Sequence, residues 1–236
     1  MINMLQQLQN DVKKLSDPKK AEILQRFFKT GKGQYGEGDV FVGLVVPQSR
    51  LLAKKYSDLS LSGITTLLDS KVHEERIIAL FILVNRFEQA DEGQKKELYA
   101  FYLKHREAVN NWDLVDLSAS QIVGAYLYTK EKQKLYDLAK SENLWERRTA
   151  IIATLYFIRR KQFDDTFKIA TLLLSDTHDL LHKAVGWMLR EVGKRDFQAL
   201  DRYLKENYKK MSRTTLRYAL EHYSSDKRLG YMKGIV

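Results

Sequence analysis

Two tryptophans, a carboxylate and two cations stand at spacings that could do chemistry together. Trp112 and Asp116 are four residues apart, as are Lys183 and Trp187, and on a helix residues so spaced share a face. Indole faces attract cations, by about 0.5–1 kcal/mol at exposed sites and about 2 kcal/mol or more once desolvated. A carboxylate beside them can stabilise a developing positive charge or orient a water for attack. Arg148 and Lys183 could hold phosphates. Such a set suits a substrate that is anionic along its backbone and cationic at one point. DNA carrying an alkylated, positively charged purine is one. Loss of that purine passes through a cationic sugar, which carboxylates stabilise in glycoside hydrolysis.

Composition narrows the alternatives. The 236 residues hold 40 Lys and Arg against 30 Asp and Glu, a net charge of +10 and a pI near 9.5, which favours a polyanionic partner. There is no cysteine, hence no disulfide, thiolate zinc site, iron–sulfur cluster or Cys nucleophile. A hydrophobic content of 44% with 11% aromatics is too rich for a disordered chain. No apolar run approaches the roughly 18 residues that span a bilayer, and the opening MINMLQQLQNDVKKL is unlike a signal peptide. The expected address is the cytoplasm, at the nucleoid.

The elements that must position these residues read as helices. Glu74–Gln89 carries a wide apolar stripe, and similar stripes run through Ala21–Thr30, Lys95–Glu107, Trp112–Thr129, Glu146–Lys161, Phe163–Leu174, Leu180–Gly193, Phe197–Tyr208 and Thr214–Tyr223. Asp17-Pro18 and Ser212 read as helix starts. Thr30–Pro47 departs from the pattern, with five of the 12 glycines and one of the two prolines. It lacks the order of a phosphate-binding P-loop, and Glu37 and Asp39 would repel phosphate, so it reads as a support for neighbouring helices. Segments 67–84, 138–158 and 172–192 resemble one another: a helix end, a polar break, then a helix opening on acidic, basic and apolar residues. Their alignment matches Arg76, Arg148 and Lys183, separated by 72 and 35 residues, and half of 72 places Trp112 in the same row. A degenerate repeat of about 36 residues predicts an all-α, HEAT-like solenoid with a basic concave face, a single domain over 1–236.

Each of these residues also has a structural reading. Trp112 and Trp187 could be core tryptophans, Trp145 reads as packing, and Asp113 as a local cap or pair. His178 and His182 in H-D-L-L-H have zinc-ligand spacing but no evident third ligand. Lys209, Lys210, Arg213 and Arg217 suit a phosphate-contact patch or a solvated face, and Arg190 stands beside Glu191.

The segments NNWDLVD (110–116), LWERRTAI (144–151) and HKAVGWMLRE (182–191), with FFKTGKGQYGEGDVFVGLVVPQSRLLAKKY (27–56), resemble the AlkD family of alkylpurine DNA glycosylases over nearly the whole chain. The resemblance implies a HEAT-like fold and removal of N3- and N7-alkylated purines from duplex DNA. It implies no metal or cofactor and no flipping of the base into a pocket. It matches Trp112 and Trp187 to indoles flanking the lesion deoxyribose, Asp116 to the catalytic carboxylate and Arg148 to a DNA contact. Phe27 matches an aromatic position that is Tyr in some members. Lys183, Arg190, Lys210, Arg213 and Arg217 complete the expected DNA-binding set. The expected enzyme is a monomeric, monofunctional glycosylase. The alternative is a HEAT-like paralogue that binds nucleic acid or scaffolds partners without chemistry, as in members that lack the tryptophan and aspartate.

Overall fold

Several helix starts in this chain are set by short polar side chains. In the computed structural model, which describes residues 3–235, Asn3 caps α1 (Met4–Leu15) and Asp17 caps α2 (Pro18–Phe27), with Pro18 at the first helical position. The helices α3 (Val46–Lys55), α4 (Leu61–Leu68), α5 (His73–Gln89), α6 (Glu92–Lys104) and α7 (Trp112–Ala119) follow. A π-helical turn over Ser120–Gly124 leads into α8 (Ala125–Leu127). Then come α9 (Gln133–Ala139), α10 (Leu144–Ala153), α11 (Leu155–Ile158), α12 (Asp164–Leu172), α13 (Asp179–Gly193), α14 (Phe197–Asn207), α15 (Arg213–Ala219) and α16 (Ser225–Lys233). Ser212 caps α15 as its sequence predicts. The architecture is all-α, and the described residues hold no strand beyond one isolated bridge, Val40 to Val72.

The three look-alike segments each become a packed helix pair: α4 with α5, α9 with α10 and α12 with α13. This is the unit of a HEAT-like repeat. Chain contacts divide the protein into two compact units, one up to Ser118 and one from Ala119 onward.

In the first unit α5 is the central element. It packs on α3, α4 and α6, and buries Ile77, Ile78, Ala79, Leu80, Phe81, Ile82, Leu83 and Val84 in succession. A helix apolar all round belongs inside. Its first turn is the exception: His73, Glu74, Glu75 and Arg76 are all buried too. The Glu74 carboxylate accepts the backbone N–H groups of Val42, Gly43 and Leu44 at 2.8–3.2 Å. The glycine-rich loop therefore has its anion built in, placed where the helix dipole also favours negative charge. Gly43 is required there, since its φ is +91° and a Cβ would lie 2.2 Å from the Asp17 carbonyl. The loop supports its neighbours, as its composition implies.

In the second unit α13 is central, packed against α10, α12, α14 and α15. Its contact with α15 closes at Gly186, where a Cβ would lie 2.6 Å from the Thr215 carbonyl and 2.5 Å from Tyr218 Cβ. We expect Gly186→Ala to cost about 1–3 kcal/mol, read as a lower urea midpoint with an unchanged helical circular-dichroism spectrum.

Two predicted helices are interrupted. The stripe 112–129 passes through the π-helical turn, where a Cβ on Gly124 would lie 2.1 Å from the Ala153 carbonyl. The stripe 146–161 breaks at Thr154, whose buried hydroxyl bonds back to the Ile151 carbonyl at 2.7 Å and competes with the helical ladder.

Candidate functional site

Trp112 opens α7, and the residues on either side of it are anchored to distant parts of the first unit. Asn111 is fully buried. Its side-chain oxygen accepts the Trp112 N–H at 2.8 Å, and its amide donates to Asp39 at 3.2 Å. Asp113 accepts from His73 Nε2 at 2.8 Å. The local pairing expected of Asp113 is present in the bond it accepts from the Leu114 N–H at 2.9 Å, and tertiary packing adds a second partner 40 residues away on α5. His73 Nδ1 faces Asp39 at 2.8 Å, and Arg76 Nη2 holds the other Asp39 oxygen at 2.5 Å. Two carboxylates and two cations balance in a volume closed to water, which is the condition for burying charge at tolerable cost.

The charge states follow. Burial would lower the pKa of His73, but its hydrogen bonds to Asp113 and Asp39 outweigh this and raise it, against opposition from Arg76. A carboxylate stands at each ring nitrogen, which favours the doubly protonated imidazolium, while Arg76 Nη2 at 3.2 Å from Nδ1 opposes it. Burial would raise Asp39; His73 and Arg76 win and lower it.

Above this base lies an aromatic cluster. Phe28 stacks on the Trp112 indole at 5.0 Å and 7°, Phe41 stacks on Phe28 at 4.7 Å, and Phe41 on His73 at 4.4 Å. Phe27 meets Trp112 edge-on at 6.0 Å while remaining 62% exposed. The indole N–H donates to the Tyr35 hydroxyl at 3.3 Å. Trp112 is half-buried, and Asp116, one turn along α7, is half-buried as well. The structure thus brings Phe27 and Trp112 into contact, with Asp116 one turn further along the same helix. Tyr35, Phe28, Asp39, His73 and Asn111 were missed by spacing arguments. The signal that could have found them was the cluster of polar residues at the α5 start and loop, too polar for a core unless paired.

The second unit holds the other candidates. Trp187 is half-buried on α13, next to the close approach at Gly186. Arg148 is only 5% exposed, and its Nη1 donates to the Leu180 carbonyl at 2.5 Å, so it braces α10 against the start of α13. Lys183 pairs with Asp179 at 2.7 Å, which lowers the Asp179 pKa. Arg190 pairs with Glu221 and, at 3.7 Å, with Glu191. Lys210, Arg213 and Arg217 are exposed. His178 accepts the Leu180 N–H, and His182 Nε2 meets the Asp176 carbonyl at 2.6 Å, so both rings serve the helix start. The aligned row is not the uniform basic surface that its register suggests. Arg76 is 6% exposed, inside the ionic cluster, because its length reaches Asp39 in the loop.

Among the described residues no helix is long and apolar enough to cross a membrane. A search of curated proteins finds no match. Solved structures do match in fold. A predicted DNA alkylation repair enzyme from Enterococcus faecalis superposes with a TM-score of 0.69 at 18% identity, over 89% of this chain and 97% of that one. AlkD2 from Streptococcus mutans gives 0.57 at 16% identity, over 88% and 99%. The smu.31 protein from Streptococcus mutans UA159 gives 0.55 at 18% identity, over 94% and 99%. The family model described as DNA alkylation repair enzyme matches residues 8–223, spanning the Trp112 helix, the glycine-rich loop and the Trp187 helix, and the chain belongs to that family.

Proposed function

We propose that the chain is a monofunctional DNA glycosylase that hydrolyses the N-glycosidic bond of positively charged N3- or N7-alkylated purines in duplex DNA, without flipping the base. The observation that carries this reading is Trp112 and Asp116 on one turn of α7, with the indole seated on Phe28 and the helix start fixed by a buried ionic cluster. A cationic purine leaves with the bonding electron pair and becomes neutral, so departure needs no external acid or metal. The sugar left behind is an oxocarbenium-like cation. The Asp116 carboxylate stabilises it and orients a water. The water oxygen bonds to C1′ and its proton goes to solvent, leaving an abasic site. The Trp112 face supports the same positive charge, and Phe27 adds an exposed apolar edge beside it. No lysine nucleophile is assigned, so the strand stays intact.

In the second unit we assign Trp187 to the lesion-bearing DNA and Lys183, Arg190, Lys210, Arg213 and Arg217 to its backbone, the protein acting as a monomer at the nucleoid; the DNA contact expected of Arg148 is corrected, since its buried guanidinium is spent on the Leu180 carbonyl. Three of these are testable by salt dependence. Replacing Lys210, Arg213 or Arg217 with Ala should each lower the slope of log binding constant against log salt by about 1, with little change in preference among sequences.

The deciding experiment is release of 7-methylguanine from methylated duplex DNA. Release above the spontaneous rate, with the strand uncut, supports the assignment. Salt-dependent binding without release makes the chain a binding module.

A further inference from the structure

We infer that Tyr35, in the glycine-rich loop, is a positioning residue for the Trp112 indole. The inference rests on the proposed glycosylase reading and names a part of the site that neither the family match nor the aligned repeats assign.

The geometry is specific. The Tyr35 hydroxyl accepts the Trp112 Nε1–H at 3.3 Å and stands 3.5 Å from the Phe27 carbonyl, to which it donates. One hydroxyl thus ties the indole to the backbone of the residue whose ring meets that indole edge-on. Both contacts are long for hydrogen bonds, so each is weak; their value lies in direction. Phe28 fixes the plane of the indole by stacking. Stacking leaves rotation within that plane soft, because apolar contact has no preferred azimuth. An N–H bonded to a fixed oxygen removes that freedom.

Tyr35 is itself held. The segment around it turns at Gly33 (φ +76°) and Gly38 (φ +89°), and the Gly36 N–H bonds to the Lys29 carbonyl at 3.2 Å. A Cβ on Gly36 would lie 2.5 Å from the Phe28 carbonyl, so the loop runs directly against the end of α2. Downstream, the Gln25 side chain donates to the Asp39 carbonyl at 2.7 Å and accepts the Phe41 N–H at 3.1 Å, and Glu74 holds the three amides beyond. The loop is therefore closed around Tyr35 by the Gly36–Lys29 bond and tethered again beyond it. Its composition, unsuited to binding phosphate, suits delivery of one phenol to one indole.

Tyr35→Phe removes only the hydroxyl. With three tryptophans in the chain, the indole N–H resonances of Trp112, Trp145 and Trp187 can be followed separately by 15N NMR. We expect the Trp112 indole resonance to shift and exchange faster with solvent while the other two stay. The single-turnover rate of 7-methylguanine release should fall about threefold to tenfold, the scale of one weak neutral hydrogen bond, with DNA affinity and urea midpoint unchanged. An unmoved Trp112 resonance, or an unimpaired rate beside an active wild type, overturns the inference and leaves the glycosylase reading standing. No release by the wild type overturns both. A loss of rate tracked by an equal loss of stability also overturns it, since Tyr35 would then be packing alone.

Discussion

Replacing Asp116 with Asn should slow release of 7-methylguanine by about a hundredfold to a thousandfold under single-turnover conditions, the scale set by removing one preorganised electrostatic partner of a charged transition state. The change keeps the shape of the side chain and removes its charge. Duplex affinity should hold or rise slightly, because a negative charge beside phosphates is repulsive in the ground state and useful only once the sugar becomes cationic. Half-burial of Asp116 strengthens this argument, since the carboxylate works in a lower effective dielectric than it would in water. Equal loss of rate and of DNA binding would place Asp116 in binding rather than in chemistry. An unimpaired rate would remove Asp116 from the mechanism and leave stabilisation of the sugar cation to other groups.

His73→Gln should destabilise the first unit by about 3–5 kcal/mol, because it strands Asp39 and Asp113 beside the remaining Arg76 with one buried cation fewer. Urea unfolding measures this directly. The pH dependence gives a second signature. The folded-state pKa of His73 lies above the ordinary 6.5. Folding therefore takes up a proton at this ring. The resulting stability is fully present below 6.5 and is lost as the pH rises through the raised value. Asp39 acts in the opposite sense. Its pKa lies below the ordinary 3.8, so its contribution is present above 3.8 and is lost as the pH falls through the lowered value. Wild-type stability should therefore decline on the alkaline side of 6.5, and His73→Gln should lack that decline. A wild-type curve flat through this range would show that His73 is neutral in the folded protein.

The same cluster carries consequence for the site. Asn111 and Asp113 flank Trp112, and both end on it. Loosening it should misplace the indole as well as weaken the fold, so His73→Gln is expected to lower the release rate even where the protein remains folded.

Much of this was legible in the residues. Apolar periodicity located the helices, because burial of one stripe is a local property of a chain with 3.6 residues per turn. Asp17-Pro18 and Ser212 announced helix starts, because a cap bonds to amides two or three residues away. The spacing of Trp112 and Asp116 placed them on one helical face for the same reason. The interruptions were less visible. Gly124 and Thr154 read as ordinary helix positions until a neighbouring carbonyl or the preceding turn is in place.

The family and the helical fold were legible in the sequence alone, through short-range rules and motif likeness, as was the choice of candidate side chains to test. Tertiary structure decided their partners. Asn111 meets Asp39 across 72 residues, Asp113 meets His73 across 40, and Tyr35 meets Trp112 across 77. It also withdrew Arg76 from the basic surface and set Arg148 to brace α13. Pairings at such separations leave no period in the chain. They arise where buried charge must find its opposite, and packing alone determines which residue is near enough to supply it.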